Sequence, residues 1–352
     1  MPNKVRLLAS LVKIMKKTTI ISIVIILVVV IAGGVIFYQQ SQPKTSGKIM
    51  TVGKYYWPGM YWVEIAEAKG WFKEAGLNVR LVDTNKDYYG SQKDVVSGKL
   101  DTQNFWVFDL ITHDDDVDPK GADLVIVVNT DTSLGSEAIV VSKEISSLVD
   151  LKGKKIGVEA GSAMEFILYE VLKSEGLTFN DIVRVSDTTE KLPAKFVAGE
   201  LDAVAVWEPI TAEALKKESS RKLWDSSQMP GVVSAGYVFR KDFIERRPED
   251  IQAFVKVWHK TAEFIKNHPN EAFAVIAKNY STSLAEVESF TKLNQILDLD
   301  DNLDSFVYGS SLKSLHGQIK EISKYLLDQK IIQKNIDSTE IINPQFIRAL
   351  IN

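Results

Sequence analysis

The chain of 352 residues contains no cysteine. That absence excludes disulfides, cysteine metal sites, thiol nucleophiles and a lipid anchor attached through cysteine. Also missing are His-Glu-x-x-His, Gly-x-Ser-x-Gly, a Walker loop and a dinucleotide fingerprint, so no acid, base and nucleophile set stands out and no cofactor or metal is expected. Of the four histidines, His259 and His268 fall in or at the end of a helical stretch and read as structural. His113 precedes Asp114, Asp115, Asp116 and Asp118, oxygen ligands of the kind calcium takes, but without the spacing of a recognised loop. A solvated loop is the expectation there, and a helix-end turn at Asp298, Asp300, Asp301 and Asp304.

What is present is ordinary globular material, 45% hydrophobic and 25% charged, in a chain longer than one average domain. It suffices for a full core without covalent staples. The N-terminus departs from this. Residues 18–38 carry no charge and are nearly all apolar, enough to cross a hydrocarbon core of about 30 Å. Lys4, Arg6, Lys13, Lys16 and Lys17 precede them without an acidic residue, which places that end in the cytoplasm and the rest outside. An uncleaved anchor and a cleaved signal are the two readings, and Ala32-Gly33-Gly34 is a poor cleavage site. Met15-Lys16-Lys17 also looks like a conventional export start. Residues 39–48 form a polar linker. Removing the five N-terminal positive charges from the net −4 leaves −9 for residues 18–352, a poor balance for binding nucleic acid.

A repeat organises the remainder. VSGKLDTQNFW at 96–106 and VAGELDAVAVW at 197–207 match at Gly98 and Gly199, Leu100 and Leu201, Asp101 and Asp202, and Trp106 and Trp207. Upstream, Gly76-Leu77 followed by VRLVDT is answered by Gly176-Leu177 followed by VRVSDT. Matches in one order over so long a period imply paired lobes, not a solenoid. Periodicity gives strands at 49–54, 78–83, 102–107 and 122–128, helices at 61–69 and 91–99, and a segment 137–141 leading away. The cycle restarts with strands at 154–159, 182–185 and 203–207 and helices at 163–174 and 192–199. Helices are expected at 248–268, 271–278, 283–297 and 310–329. Such alternation predicts mainly parallel sheets flanked by helices.

The phrases IAEAKGWFKEAGLNV (65–79), VVSGKLD, DLKGKKIGVEAGSA (150–163) and FVAGELDAVAVWEP (196–209) resemble the periplasmic solute-binding proteins of ABC importers. More narrowly, they are similar to the branch that binds nitrate, bicarbonate, taurine, alkanesulfonates and the pyrimidine precursor of thiamine. The segment 246–272 resembles the helical stretch that follows the second lobe in that family. The resemblance implies an α/β type II clamshell, with lobe one at 49–132 and 235–352 and lobe two at 133–234. It also implies a small-molecule ligand, partner ABC permease and ATPase subunits, and no catalysis. Two other classes stand beside it. A pyrimidine-synthesising clamshell enzyme would use a cysteine-rich motif absent here, and a sensory ectodomain would need more cytoplasmic chain than 1–17.

In such a clamshell ligands sit beyond the carboxyl ends of the strands, where helices begin and offer free N–H groups. Candidate ligand-binding residues therefore follow the strands. Tyr55, Tyr56 and Trp57 form an aromatic wall or pack at the hinge edge. Trp106 and Trp207 would face the cleft from opposite lobes and form a flat slot. Gly161 and Ser162 either cap a helix or also hold an anionic or polar group. Glu208, just before Pro209 at the expected first helical position, either complements the helix dipole or points inward to an amine or ring N–H. Asn104 and Asp109 flank the lobe-one tip, and Thr130 and Thr132 occupy the crossover. Lys86 is the only basic residue in a strand-end loop of lobe one and no arginine falls in these loops, which disfavours nitrate or bicarbonate. A small sulfonate or heterocycle with a planar or apolar part is favoured.

Overall fold

The computed structural model describes residues 45–113 and 122–351. The tail 1–17, the apolar run 18–38, most of the linker and the aspartates of the 114–118 loop lie outside the described residues. Among the described residues no helix is long and apolar enough to cross a membrane.

Eleven strands occur in chain order: β1 Ile49–Lys54, β2 Asn78–Asp83, β3 Thr102–Trp106, β4 Leu124–Ser133, β5 Glu137–Val141, β6 Lys155–Gly157, β7 Val183–Val185, β8 Ala203–Trp207, β9 Arg221–Asp225, β10 Ser234–Arg240 and β11 Asn294–Ile296. They form two sheets, ordered β11-β4-β10-β3-β1-β2 and β7-β6-β8-β5-β9. The pairings β1 with β2 and β3, and β6 with β7 and β8, are parallel. By contrast β10 is antiparallel to both neighbours, as is β5. The expectation of mainly parallel sheets is corrected to mixed ones, for a geometric reason. A chain leaving one sheet at the carboxyl ends of its strands enters the next from the same side, so each entry strand must run away from the cleft. Strands β5 and β10 are those entry strands.

The two crossovers lie side by side. Ser133 N–H donates to Val233 O at 3.0 Å, Ser133 Oγ lies 2.7 Å from Ser226 Oγ, and Ser226 Oγ accepts from Gly135 N–H at 2.8 Å. A third strand, β11, pairs with β4 at the same place. The expected helix at 283–297 is therefore shorter, Leu284–Thr291, because Asn294 to Ile296 complete the sheet edge.

The repeat has a structural purpose in each lobe. Gly76 and Gly176 end helices in the left-handed conformation, with φ of 77° and 70°, where a side chain would be strained. The following Leu77 and Leu177 donate N–H back to Phe72 O and Leu172 O, closing both helix ends alike. Asp101 Oδ2 accepts from Thr51 N–H at 2.7 Å and from Thr51 Oγ1 at 2.8 Å, and Asp202 Oδ2 accepts from Lys155 N–H at 2.8 Å. Each aspartate thus ties the start of one strand to its parallel neighbour, β3 to β1 and β8 to β6. Leu100 and Leu201 are buried beside them.

The helix Pro248–Asn267 buries Ile251, Phe254, Val255, Trp258, Ala262 and Ile265 along one stripe. Phe254 packs edge-on to Trp62 at 4.8 Å and to Tyr237 at 5.4 Å, forming the aromatic centre of lobe one. The helix Leu315–Asp328 touches both lobes: Tyr325 contacts Phe108 of lobe one and Phe166 of lobe two. Its hydroxyl donates to Glu165 at 3.2 Å. Asp298 caps the helix Leu299–Ser305 in a reciprocal box with Asp301; the expected helix-end turn is corrected, since Asp300, Asp301 and Asp304 lie inside that helix and strand β11 precedes it.

Candidate functional site

Strand ends from both sheets enclose a cavity of about 370 Å³, within the range of small-molecule sites. Its walls are Tyr55, Tyr56 and Trp57 after β1, Asn85, Lys86, Asp87, Tyr88 and Tyr89 after β2, and Asn104 and Trp106 on β3. Lobe two supplies Glu190 after β7 and Trp207, Glu208, Pro209 and Ile210 at the end of β8. Met60 completes the lining.

The aromatic groups support one another. Trp57, Trp106 and Trp207 form a chain of indoles with centroids 6.1 and 5.9 Å apart. The Trp106–Trp207 contact is edge-to-face at 75°, so the expected flat slot between them is corrected. The two rings touch directly, an arrangement aromatic quadrupoles favour, and form one continuous wall across the lobes. Tyr55 lies 5.3 Å from Tyr88. Tyr56 packs against Tyr61, Tyr280 and Phe290, while its N–H donates to Asn85 Oδ1 at 2.8 Å.

Beneath this wall lies a buried polar chain. Trp57 Nε1 donates to Asp131 Oδ2 at 2.7 Å. A Cβ on Gly59 would overlap the Asp131 carboxyl group, so the turn after Trp57 comes this close only as glycine. Burial pushes the Asp131 carboxyl up to about 7, against the lowering effect of the Trp57 and Thr130 hydrogen bonds. Asn104 Nδ2 donates to Thr130 Oγ1 at 2.7 Å, and Tyr88 Oη donates to Asn104 O at 3.2 Å. Burial also pushes Asp109 up to about 7, although Gln92 Nε2 donates to it at 2.9 Å.

Of the residues singled out from sequence, Tyr55, Tyr56, Trp57, Asn104, Trp106, Trp207 and Glu208 meet at the cavity. Five others, Asp109, Thr130, Thr132, Gly161 and Ser162, do not reach its wall. Thr130 is 1% exposed and lies within 3.0 Å of Ala235 O, under Asn104. Ser162 Oγ donates to Glu159 O at 2.7 Å and accepts from Glu165 N–H at 3.4 Å, capping the helix Ala163–Ser174. Gly161 N–H donates to Glu165 Oε2 at 2.9 Å. Their polar groups are taken up by the helix start. Glu208 pairs with Lys222 at 3.2 Å, and Pro209 is the cap of the helix Ile210–Ala214, one position earlier than expected.

Tyr88, Tyr89 and Glu190 were not singled out. Tyr88 and Tyr89 fell outside the expected helix at 91–99, which begins at Tyr88 and is capped by Asp87 accepting from Gly90 N–H. The strand-end rule applied to β2 and β7 would have found all three.

A putative aliphatic sulfonates-binding protein from Bacillus subtilis (strain 168) is 26% identical over 296 residues, covering 81% of this chain and 83% of the relative. Against other curated relatives the chain spans only about half of their length, 54% in one case. The crystal structure of the periplasmic aliphatic sulphonate binding protein SsuA from Escherichia coli superposes with TM-score 0.66 at 18% identity, over 83% of this chain and 96% of that one. The desulfurization enzyme DSZB superposes with TM-score 0.59 at 14% identity, over 87% and 99%. At these identities the likeness establishes the fold alone, the two-lobed α/β architecture of periplasmic binding proteins. Residues 57–272, more than half of the sequence, match the family described as NMT1/THI5 like, and the chain belongs to that family.

Proposed function

We propose that this protein is an extracytoplasmic solute receptor that captures a small polar organic ligand between its lobes and delivers it to a separate ABC permease with its ATPase. Residues 18–38 would tether it to the outer face of the cell membrane or direct its export. The observation that carries this reading is the aromatic cavity at the matched strand ends of two sheets, joined by adjacent crossovers. Such a hinge lets ligand shift the balance of open and closed forms. A seven-ring lining suits a ligand with a planar or apolar part, sulfonate- or taurine-like or pyrimidine-like. The sulfonate-binding relative supports the first class. The absence of cysteine argues against the cysteine-dependent chemistry of pyrimidine-synthesising clamshells.

The test is thermal unfolding of the full chain in mild detergent with taurine, ethanesulfonate and 4-aminopyrimidines. A ligand at a hundredfold excess over its Kd adds ~2.7 kcal/mol to native stability. A ligand-dependent rise in Tm is expected, and no rise across the panel, with a closed ligand-free structure, argues against the receptor. Trp106→Ala and Trp207→Ala are each expected to lose affinity while keeping the fold; unchanged affinity would refute their place in the site.

A further inference from the structure

The charges around the cavity are lopsided. Its wall carries three carboxylates, Asp87, Glu190 and Glu208, against a single cation, Lys86. Lys86 is exposed and makes no ion pair among the described residues. Glu208 already has a partner in Lys222. Glu190, by contrast, makes no ion pair or hydrogen bond among the described residues, although it faces the tyrosines of the opposite lobe. Burial, and after it the negative charge of Glu190, holds the Tyr55 phenol above its ordinary range. The Tyr89 phenol is raised by burial first and then by Asp109, Glu159 and Glu190. No arginine lines the cavity, so no bidentate donor awaits a sulfonate or nitrate. Aromatic faces joined to the unpartnered Glu190 carboxylate form instead the environment in which a cation is attracted by ring quadrupoles.

We infer that the ligand presents a cationic nitrogen, ammonium or quaternary ammonium, to the wall formed by Tyr55, Tyr88, Tyr89 and the indoles, with Glu190 closing over it from lobe two. The inference rests on the receptor proposed above and narrows its ligand: an aminated sulfonate fits, whereas a bare anion or an uncharged amino-heterocycle does not.

Two matched probe pairs test it on the full chain in detergent, by calorimetry and tryptophan fluorescence. Choline is compared with its neutral isostere 3,3-dimethyl-1-butanol, and taurine with ethanesulfonate, which lacks only the ammonium group. In each pair that binds, the cation-bearing member is expected to bind at least about tenfold tighter, ~1.4 kcal/mol. Raising ionic strength is expected to shrink that ratio. Glu190→Gln is expected to shrink it too while leaving the affinity for 3,3-dimethyl-1-butanol in place, which a merely structural role would not do. Ethanesulfonate binding as tightly as taurine, or dimethylbutanol as tightly as choline, overturns the inference and leaves the receptor standing. If neither pair binds, the inference falls, and the receptor falls with it only when the 4-aminopyrimidines are silent as well.

Discussion

The two raised aspartates give the protein a pH dependence of known sign. Asp131 and Asp109 are 2% and 5% exposed, and burial lifts each carboxyl from 3.8 to about 7. Between those values the folded state holds two protons that the unfolded chain releases. Stability is therefore fully present below the unfolded value and is lost as pH rises through about 7. Near pH 5.5 each group contributes a slope of ~1.4 kcal/mol per pH unit, and a shift of about three units integrates to ~4 kcal/mol each. Carboxylates held low by their partners, such as Asp298 by Lys266 and Asp328 by Lys324, act with the opposite sign below about pH 4, outside this window; His316, held low by burial, opposes inside it with one proton against two. The assay is urea denaturation from pH 4.5 to 7.5. Stability is expected to fall across this range, with Asp131→Asn and Asp109→Asn each removing about one proton from the slope and the double variant about two. Asparagine keeps an acceptor for Trp57 Nε1 or Gln92 Nε2, so the change isolates the proton. An Asp131→Asn protein with the wild-type slope would refute the assignment.

Other consequences are simpler to check. Trp57→Phe removes the donor that opposes the rise of Asp131, so the midpoint of its pH transition is expected to move upward; an unmoved midpoint contradicts the coupling. Gly157→Ala places a Cβ 2.6 Å from Leu201 Cδ1 and 2.9 Å from Leu192 Cδ2. Such overpacking costs ~1–3 kcal/mol, read as a lower melting temperature. Asp101→Ala is expected to destabilise more than Asp202→Ala, because Asp101 accepts from both the N–H and the hydroxyl of Thr51 whereas Asp202 accepts from one backbone N–H. Denaturation of the two variants side by side decides, with ~1 kcal/mol expected per hydrogen bond lost. Gly231→Ala meets the backbone of Leu312 at a φ of 87°, and is expected to lower stability at the crossover by more than a surface substitution would.

The elements visible in the sequence were those whose signal is local. Strands β1, β2 and β8 and the helix Ala163–Ser174 lie at the residues that alternation and helical spacing predict, because period 2 and period 3.6 are set by which face is buried. Strands β9, β10 and β11 carry no local signal, since each owes its form to a partner far along the chain: β10 sits between β3 and β4, and β11 on the outer edge of β4. Entry strands carry no mark of direction, so the mixed character of both sheets was illegible too. Gly161 and Ser162 were drawn from a rule about helix starts that fits the backbone. Glu165, one turn on, occupies the N–H and hydroxyl groups that a ligand would need.

The repeat separates structure from recognition in this molecule. Its glycines, leucines and aspartates perform the same task twice, ending a helix and fastening β3 to β1 and β8 to β6, so equal constraints keep equal residues. At the cleft the copies differ. Lobe one brings Tyr55, Tyr56, Trp57, Tyr88 and Tyr89, whereas the corresponding ends of lobe two bring Glu190 and Glu208, and only the tryptophans recur. In the proposed receptor the two lobes would close on one small asymmetric ligand and would not both present the same chemistry to it. The tyrosines occur on one side alone, and two of the three wall carboxylates, Glu190 and Glu208, on the other. Exchanging Glu190 for glutamine should therefore alter which ligands are held without altering how the lobe folds.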